Sequence, residues 1–119
     1  MVEQDAAVTI SPERAAELWR SGDAVMVDVR RPYEREGARL EGADAIEMNE
    51  LSSRAGELPR DRPVVFYCRT GNRSGMAAQA FREAGWDAFH IEGGITAWIE
   101  QGLPVEPPGA GVRDPLPAS

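Results

Sequence analysis

The stretch Val64-Val65-Phe66-Tyr67-Cys68-Arg69-Thr70-Gly71-Asn72-Arg73-Ser74 passes from apolar to polar and into a helical pattern without a break. Four consecutive β-prone residues predict a strand covered on both faces, as strands of parallel sheets are. Arg69 to Arg73 form a short polar loop. Ser74 to Ala84 then predict a helix whose apolar stripe is Met76, Ala77, Ala80, Phe81 and Ala84, stopped at Gly85.

Outward from this unit the same alternation repeats. Ala24 to Val29 is a second buried-type strand, interrupted by Asp28, and Ala88 to Ile91 is a further one. Val8-Thr9-Ile10 is a short β-prone run. Ser11 and Pro12 supply an N-cap and a first helical residue for a helix that carries Ala15, Leu18 and Trp19 and ends at Ser21-Gly22-Asp23. Between Arg30 and Asp44 the charged sequence predicts mostly loop, with one helical turn around Tyr33 to Glu36. Ala45-Ile46 is a short strand, and Asn49 caps a modest helix through Leu51 and Arg54. Gly93-Gly94 is a turn before a last helix, Ile95 to Gln101, capped at Gly102. Strands alternating with helices predict an α/β fold with a mainly parallel central sheet flanked by helices on both faces. The expected organisation is a flexible N-terminus at 1–7, one domain at 8–105, and a flexible Pro/Gly-rich tail at 106–119.

A chain of 119 residues buries roughly two-thirds of its unfolded surface and needs no disulfide or metal staple. Cys68 is the only cysteine and His90 the only histidine, which excludes an internal disulfide, Cys-rich zinc motifs and His-based metal centres. Catalysis is therefore expected to run without imidazole. A formal net charge of −7 disfavours nucleic acid and anionic membrane surfaces. All cations are arginine, so lysine Schiff-base chemistry is excluded. Met1 to Ala7 contain Glu3 and Asp5 and no apolar run, which predicts neither a signal peptide nor a lipid anchor. With a free thiol, this points to the cytoplasm.

The loop after Val64–Tyr67 is an anion site by construction. Amides at the start of a helix lack partners within it, and the helix dipole adds to their preference for negative charge. Cys68 stands where they converge, so a thiolate is favoured there, the more so beside Arg69 and Arg73, whose planar forks suit an oxyanion. Gly71 supplies the positive φ or close approach such a loop needs. Thr70, Asn72 and Ser74 add hydrogen-bonding side chains. An inert core cysteine would have no use for this setting.

Three segments together resemble the single-domain rhodanese (sulfurtransferase) family over about residues 8–105. These are Val27-Asp28-Val29-Arg30 with Glu34 and Gly42-Ala43, then Cys68 to Ser74, then Glu92-Gly93-Gly94-Ile95-Thr96-Ala97-Trp98 continuing to Gly102-Leu103-Pro104-Val105. The resemblance implies that Cys68 takes the outer sulfur of an anionic donor such as thiosulfate. It would hold this sulfur as a persulfide and pass it to cyanide or a thiol, with no cofactor or metal. Arg69, Thr70, Gly71, Asn72, Arg73 and Ser74 would form the binding loop, and a sulfur-relay protein is a further possible partner. A persulfide carrier or regulatory binding module is the alternative from another class. Cysteine-loop phosphatases and arsenate reductases share the plan but place their arginine one position further on than Arg73, in a ring wide enough for a tetrahedral anion. The family's usual Gly-His-Ile is Ala38-Arg39-Leu40 here, a change that bears on local packing or a partner surface.

Asp28 is read as a structural acceptor for loop amides or for Arg30. Trp86 and Trp98 are read as packing, and His90 as a hydrogen-bonded sheet residue. Tyr33 is read as local packing, and Glu34, Glu36, Glu41 and Asp44 as a solvated acidic loop.

Overall fold

Val64–Tyr67 is the central strand of a five-stranded sheet, and its side chains alternate between two cores. Val64, Phe66 and Cys68 pack with Val27, Val29, Ile46, Leu51, Ala77, Ala78 and Phe81, whereas Val65 and Tyr67 pack with Ala15, Ala16, Met26, Leu40, Ile95 and Trp98. This alternation is why the run is apolar at every position. The computed structural model describes residues 8–112. The segments expected to be flexible at 1–7 and at 113–119 lie outside the described residues.

The elements are β1 (Thr9–Ile10), α1 (Pro12–Ser21), β2 (Val25–Asp28), α2 (Pro32–Gly37), β3 (Asp44–Ala45), α3 (Leu51–Arg54), β4 (Val64–Tyr67), α4 (Asn72–Glu83), β5 (Ala88–Ile91) and α5 (Gly94–Glu100). The strand order is β1-β5-β4-β2-β3, and every pairing is parallel. Among the described residues no helix is long and apolar enough to cross a membrane. The connection leaving β4 runs toward β5 and the one leaving β2 runs toward β3, so the adjacent strands β2 and β4 are followed by chain departing in opposite directions. In open parallel sheets, the crevice beyond the carboxyl ends of two such strands is where ligands bind. Cys68 follows β4 there, and Arg30 follows β2.

Several local expectations are corrected. The helical turn expected around Tyr33 to Glu36 is α2, one residue longer at each end, and the Glu34 carboxylate reaches back to accept the Arg31 amide at 3.0 Å. β3 starts one residue earlier than read. Asn49 does not cap a helix; it lies inside a 3-10 turn, Met48–Glu50, closed by Glu50 accepting from the Glu47 amide. α4 begins at Asn72, so Asn72 and Arg73 belong to its first turn. Its buried face is Ser74, Gly75, Ala77, Ala78 and Phe81, and Met76 is 61% exposed. Small residues at Ser74 and Gly75 let the helix lie close to the sheet, and hydropathy does not flag them.

Glu106 to Val112 were expected to be part of a flexible tail. Instead Glu106 exchanges both backbone hydrogen bonds with Arg39, at 3.0 and 2.7 Å, and Ala110 and Val112 are half-buried against the core beside α1 and α5. The same segment lies against Ala38-Arg39-Leu40 through that pairing. Ala38 and Leu40 are core residues, and at Arg39 the backbone forms the pairing while the side chain stays exposed.

Candidate active site

The site is assembled from the ends of β2 and β4, the first turns of α2 and α4, and the start of α5. Cys68 is 1% exposed. Its Sγ accepts from the Gly71 amide at 3.1 Å and the Ser74 amide at 3.4 Å, and lies 3.4 Å from Ser74 Oγ. N–H groups aimed at one sulfur favour negative charge on it and on any atom it carries. Gly71 holds φ at +109°, a conformation that L side chains rarely adopt, and this turns its amide back toward the sulfur.

The loop is fastened from outside by α5. The Ile95 amide donates to Cys68 O at 2.9 Å and the Thr96 amide to Arg69 O at 3.1 Å. Donors that a helix start leaves unpaired thus bind the loop's own carbonyls. Gly94 makes this approach possible, since a Cβ there would lie 2.5 Å from Cys68 O and 2.6 Å from Arg69 O.

Arg73 stands across the crevice from α2. Its Nη1 and Nη2 each donate to one oxygen of Glu34, both at 2.8 Å. Glu34 is fully buried, which corrects its reading as part of a solvated acidic loop. Burial works to raise the Glu34 carboxyl. The Arg73 guanidinium, the Arg31 amide and the charge of Arg30 outweigh that and hold it below the ordinary carboxylate range. In turn Glu34 pushes Arg73 further up. The fork expected to receive an oxyanion is therefore filled by a carboxylate. The spacing Arg31-Pro32-Tyr33-Glu34 signals only the cap of α2, with a glutamate at the third residue of a Pro-initiated helix, and not the pairing with Arg73.

Behind the loop, Asp28 and Arg30 form a buried two-point ion pair, Nε to Oδ1 at 2.9 Å and Nη2 to Oδ2 at 2.7 Å. Burial opposes the charge on Arg30, but the Asp28 carboxylate more than compensates and the guanidinium ends above its ordinary value. Arg30 Nη2 also donates to Ala38 O at 2.6 Å, tying the end of β2 to the chain that follows α2. Burial likewise pushes the Tyr67 phenol up, so it stays protonated; its oxygen accepts from the Leu40 amide at 3.1 Å. Arg69 is half-buried, and Thr70 and Asn72 are exposed on the loop. Trp98 is fully buried with its Nε1 donating to Pro104 O. Trp86 donates to Leu58 O and carries Arg60 over its ring at 3.6 Å.

His90, read as a sheet residue, is one, but it also reaches the loop. Its Nδ1 lies 3.2 Å from Ser74 Oγ, and its Nε2 lies 3.0 Å from Thr9 Oγ1. Catalysis was expected to run without imidazole and this ring was given no place at the loop, whereas it backs Ser74 there. Position 90 reaches Ser74 only because β5 lies beside β4.

Comparison with known proteins follows the same segments. A family model described as Rhodanese-like domain matches residues 11–101. The probable adenylyltransferase/sulfurtransferase MoeZ of Mycobacterium tuberculosis is 40% identical over 100 residues, covering 81% of this chain and 26% of that protein. A protein named sulfurtransferase from Allochromatium vinosum is 37% identical over 87 residues, covering 72% of this chain and 81% of its own. The chain thus spans about a quarter of MoeZ and most of the Allochromatium protein. Among solved structures, a rhodanese-related protein from Thermoplasma volcanium superposes with a TM-score of 0.76 at 31% identity, covering 82% of this chain and 95% of that one. A Rhodopseudomonas palustris protein described as a possible tyrosine phosphatase gives 0.74 at 33% identity, with 82% and 83% covered. The matched span runs from the cap of α1 to the end of α5 and includes every element that builds the cysteine loop, so the chain belongs to the rhodanese-like domain family.

Proposed function

We propose that this domain transfers sulfane sulfur through a persulfide on Cys68. The thiolate attacks the outer sulfur of an anionic donor such as thiosulfate; an S–S bond forms to Cys68, and the donor's own S–S bond breaks to release sulfite with its electron pair. The resulting persulfide anion is passed to cyanide, giving thiocyanate, or to a thiolate, giving a new persulfide, and the Cys68 thiolate returns. Charge balances in each step without a cofactor. The observation that carries this reading is the convergence of the Gly71 and Ser74 amides on Cys68 Sγ. Fixed dipoles around a sulfur need no reorganisation when the charge moves one atom outward. The names of the relatives in the sulfurtransferase group support it.

A carrier that receives its sulfur from a partner protein is the second reading, and one observation favours it. Arg73, the cation best placed to attract a free dianion, is already paired with Glu34. Incubation with thiosulfate followed by intact mass should show one added sulfur, and cyanide should remove it as thiocyanate. Sulfur uptake without turnover establishes the carrier; hydrolysis of an aryl phosphate without uptake overturns both.

A further inference from the structure

The hydroxyl of Ser74 touches the nucleophile on one side and a buried imidazole on the other. From inside to outside the chain of polar atoms is Cys68 Sγ, Ser74 Oγ, His90 Nδ1, His90 Nε2 and Thr9 Oγ1, with successive gaps of 3.4, 3.2 and 3.0 Å on either side of the ring. His90 is 2% exposed, and its Cε1 packs 3.8 Å from where a side chain on Gly71 would begin, so the ring backs the loop as well as the serine. Thr9 at the outer end is half-buried on the edge strand β1. Burial lowers the imidazole, and Glu92, two residues on, pulls the other way without prevailing. At the loop, Arg73 lies within electrostatic reach of Cys68 and is itself paired with Glu34.

We propose that His90 is a positioning residue for Cys68: it aims the Ser74 hydroxyl at the sulfur, and its tautomer is coupled to the charge the sulfur carries. A neutral imidazole has one N–H and one lone pair, so the chain can run in only two directions. With the thiol protonated, S–H donates to Ser74 Oγ, Ser74 O–H to Nδ1, and Nε2–H to Thr9 Oγ1. When the thiol ionises, each hydrogen moves one place outward and the Thr9 hydroxyl releases one proton to water. The thiolate then accepts from Ser74 O–H, Ser74 accepts from Nδ1–H, and Nε2 accepts from Thr9. No atom or charge is left over, and the same inward-running chain serves the persulfide anion. Sulfur transfer through this thiol thereby acquires a second source of stabilisation beyond the loop amides.

The inference rests on Cys68 being the nucleophile, and its test uses no sulfur donor, so its failure is distinct from failure of sulfur transfer. As the chain holds one cysteine and one histidine, iodoacetamide and an imidazole ¹⁵N spectrum each report on a single residue. In the full chain at pH 7, His90→Leu should slow alkylation about tenfold, the worth of one hydrogen bond toward a charged group. His90→Asn, whose amide N–H takes the place of Nδ1–H, should restore most of the rate. At pH 9.5, where hydroxide removes the proton unaided, the deficit should shrink to about twofold or less on the same basis. In the spectrum, the wild-type ring should be the Nδ1–H tautomer, and Cys68→Ser should shift it toward Nε2–H. Alkylation unchanged in a folded His90→Leu protein, a deficit equal at both pH values, or a tautomer indifferent to Cys68→Ser would each overturn the proposal.

Discussion

Single side chains at this site act mainly by what they hold in place. Cys68→Ser is nearly isosteric and keeps a group able to accept from the Gly71 and Ser74 amides, so its melting temperature should stay within a few degrees of wild type while sulfur uptake by mass disappears. Glu34 is different, because it faces Arg73 from full burial. Glu34→Gln removes the countercharge from an arginine that is 27% exposed, and it should cost on the order of 2 kcal/mol in urea unfolding at pH 7, less than the ~3–5 kcal/mol of a fully buried pair. The pH dependence has a definite sign. With the folded carboxyl held below its ordinary 4.5, the unfolded chain binds the proton more readily. Stabilisation by Glu34 is therefore complete above about 4.5 and is lost as pH falls through the lower folded value. Unfolding curves should show this acid limb in wild type and a flatter one in Glu34→Gln.

The elements themselves were largely legible. Val64–Tyr67 could hardly be anything but a doubly covered strand, and the Ser11-Pro12 start and the Gly22 stop of α1 follow from local chemistry. Cys68 and its loop were readable for the same reason, since strand, loop and helix start are contiguous. What escaped was long-range or disguised. Glu34 sits among charges and reads as solvent-facing until Arg73, on another helix, neutralises it. His90 meets Ser74 through sheet order, which no spacing encodes. The Gly93-Gly94 pair reads as a turn, yet its use is to let the α5 amides reach Cys68 O and Arg69 O. Gly94→Ala puts a methyl against two carbonyls at φ +61°, and should cost about 3 kcal/mol in thermal or urea unfolding from overpacking and backbone strain together. Its sulfur uptake should fall more than its stability loss explains, since the displaced atoms belong to the loop.

Across the whole molecule, the sheet is sealed on both faces and its edge strands β1 and β3 are only two residues long, which limits edge-to-edge pairing with other chains. The last described segment adds to the seal. A chain stopped after Val105 loses the Arg39–Glu106 pairing and the cover from Ala110 and Val112, whereas one stopped after Val112 keeps both. The shorter form should be less stable by about 2 kcal/mol, and should melt roughly 5–10 °C lower, than the longer one. A last consequence comes from the two bonds that join α5 to the cysteine loop. Nothing before Gly94 supplies them, so a chain emerging from the ribosome acquires its reactive centre late, after most of the sheet can already have formed. A fragment ending at Glu92 should accordingly leave the Cys68 and Arg69 carbonyls without these donors, and its loop should exchange amide hydrogens faster than in the full chain.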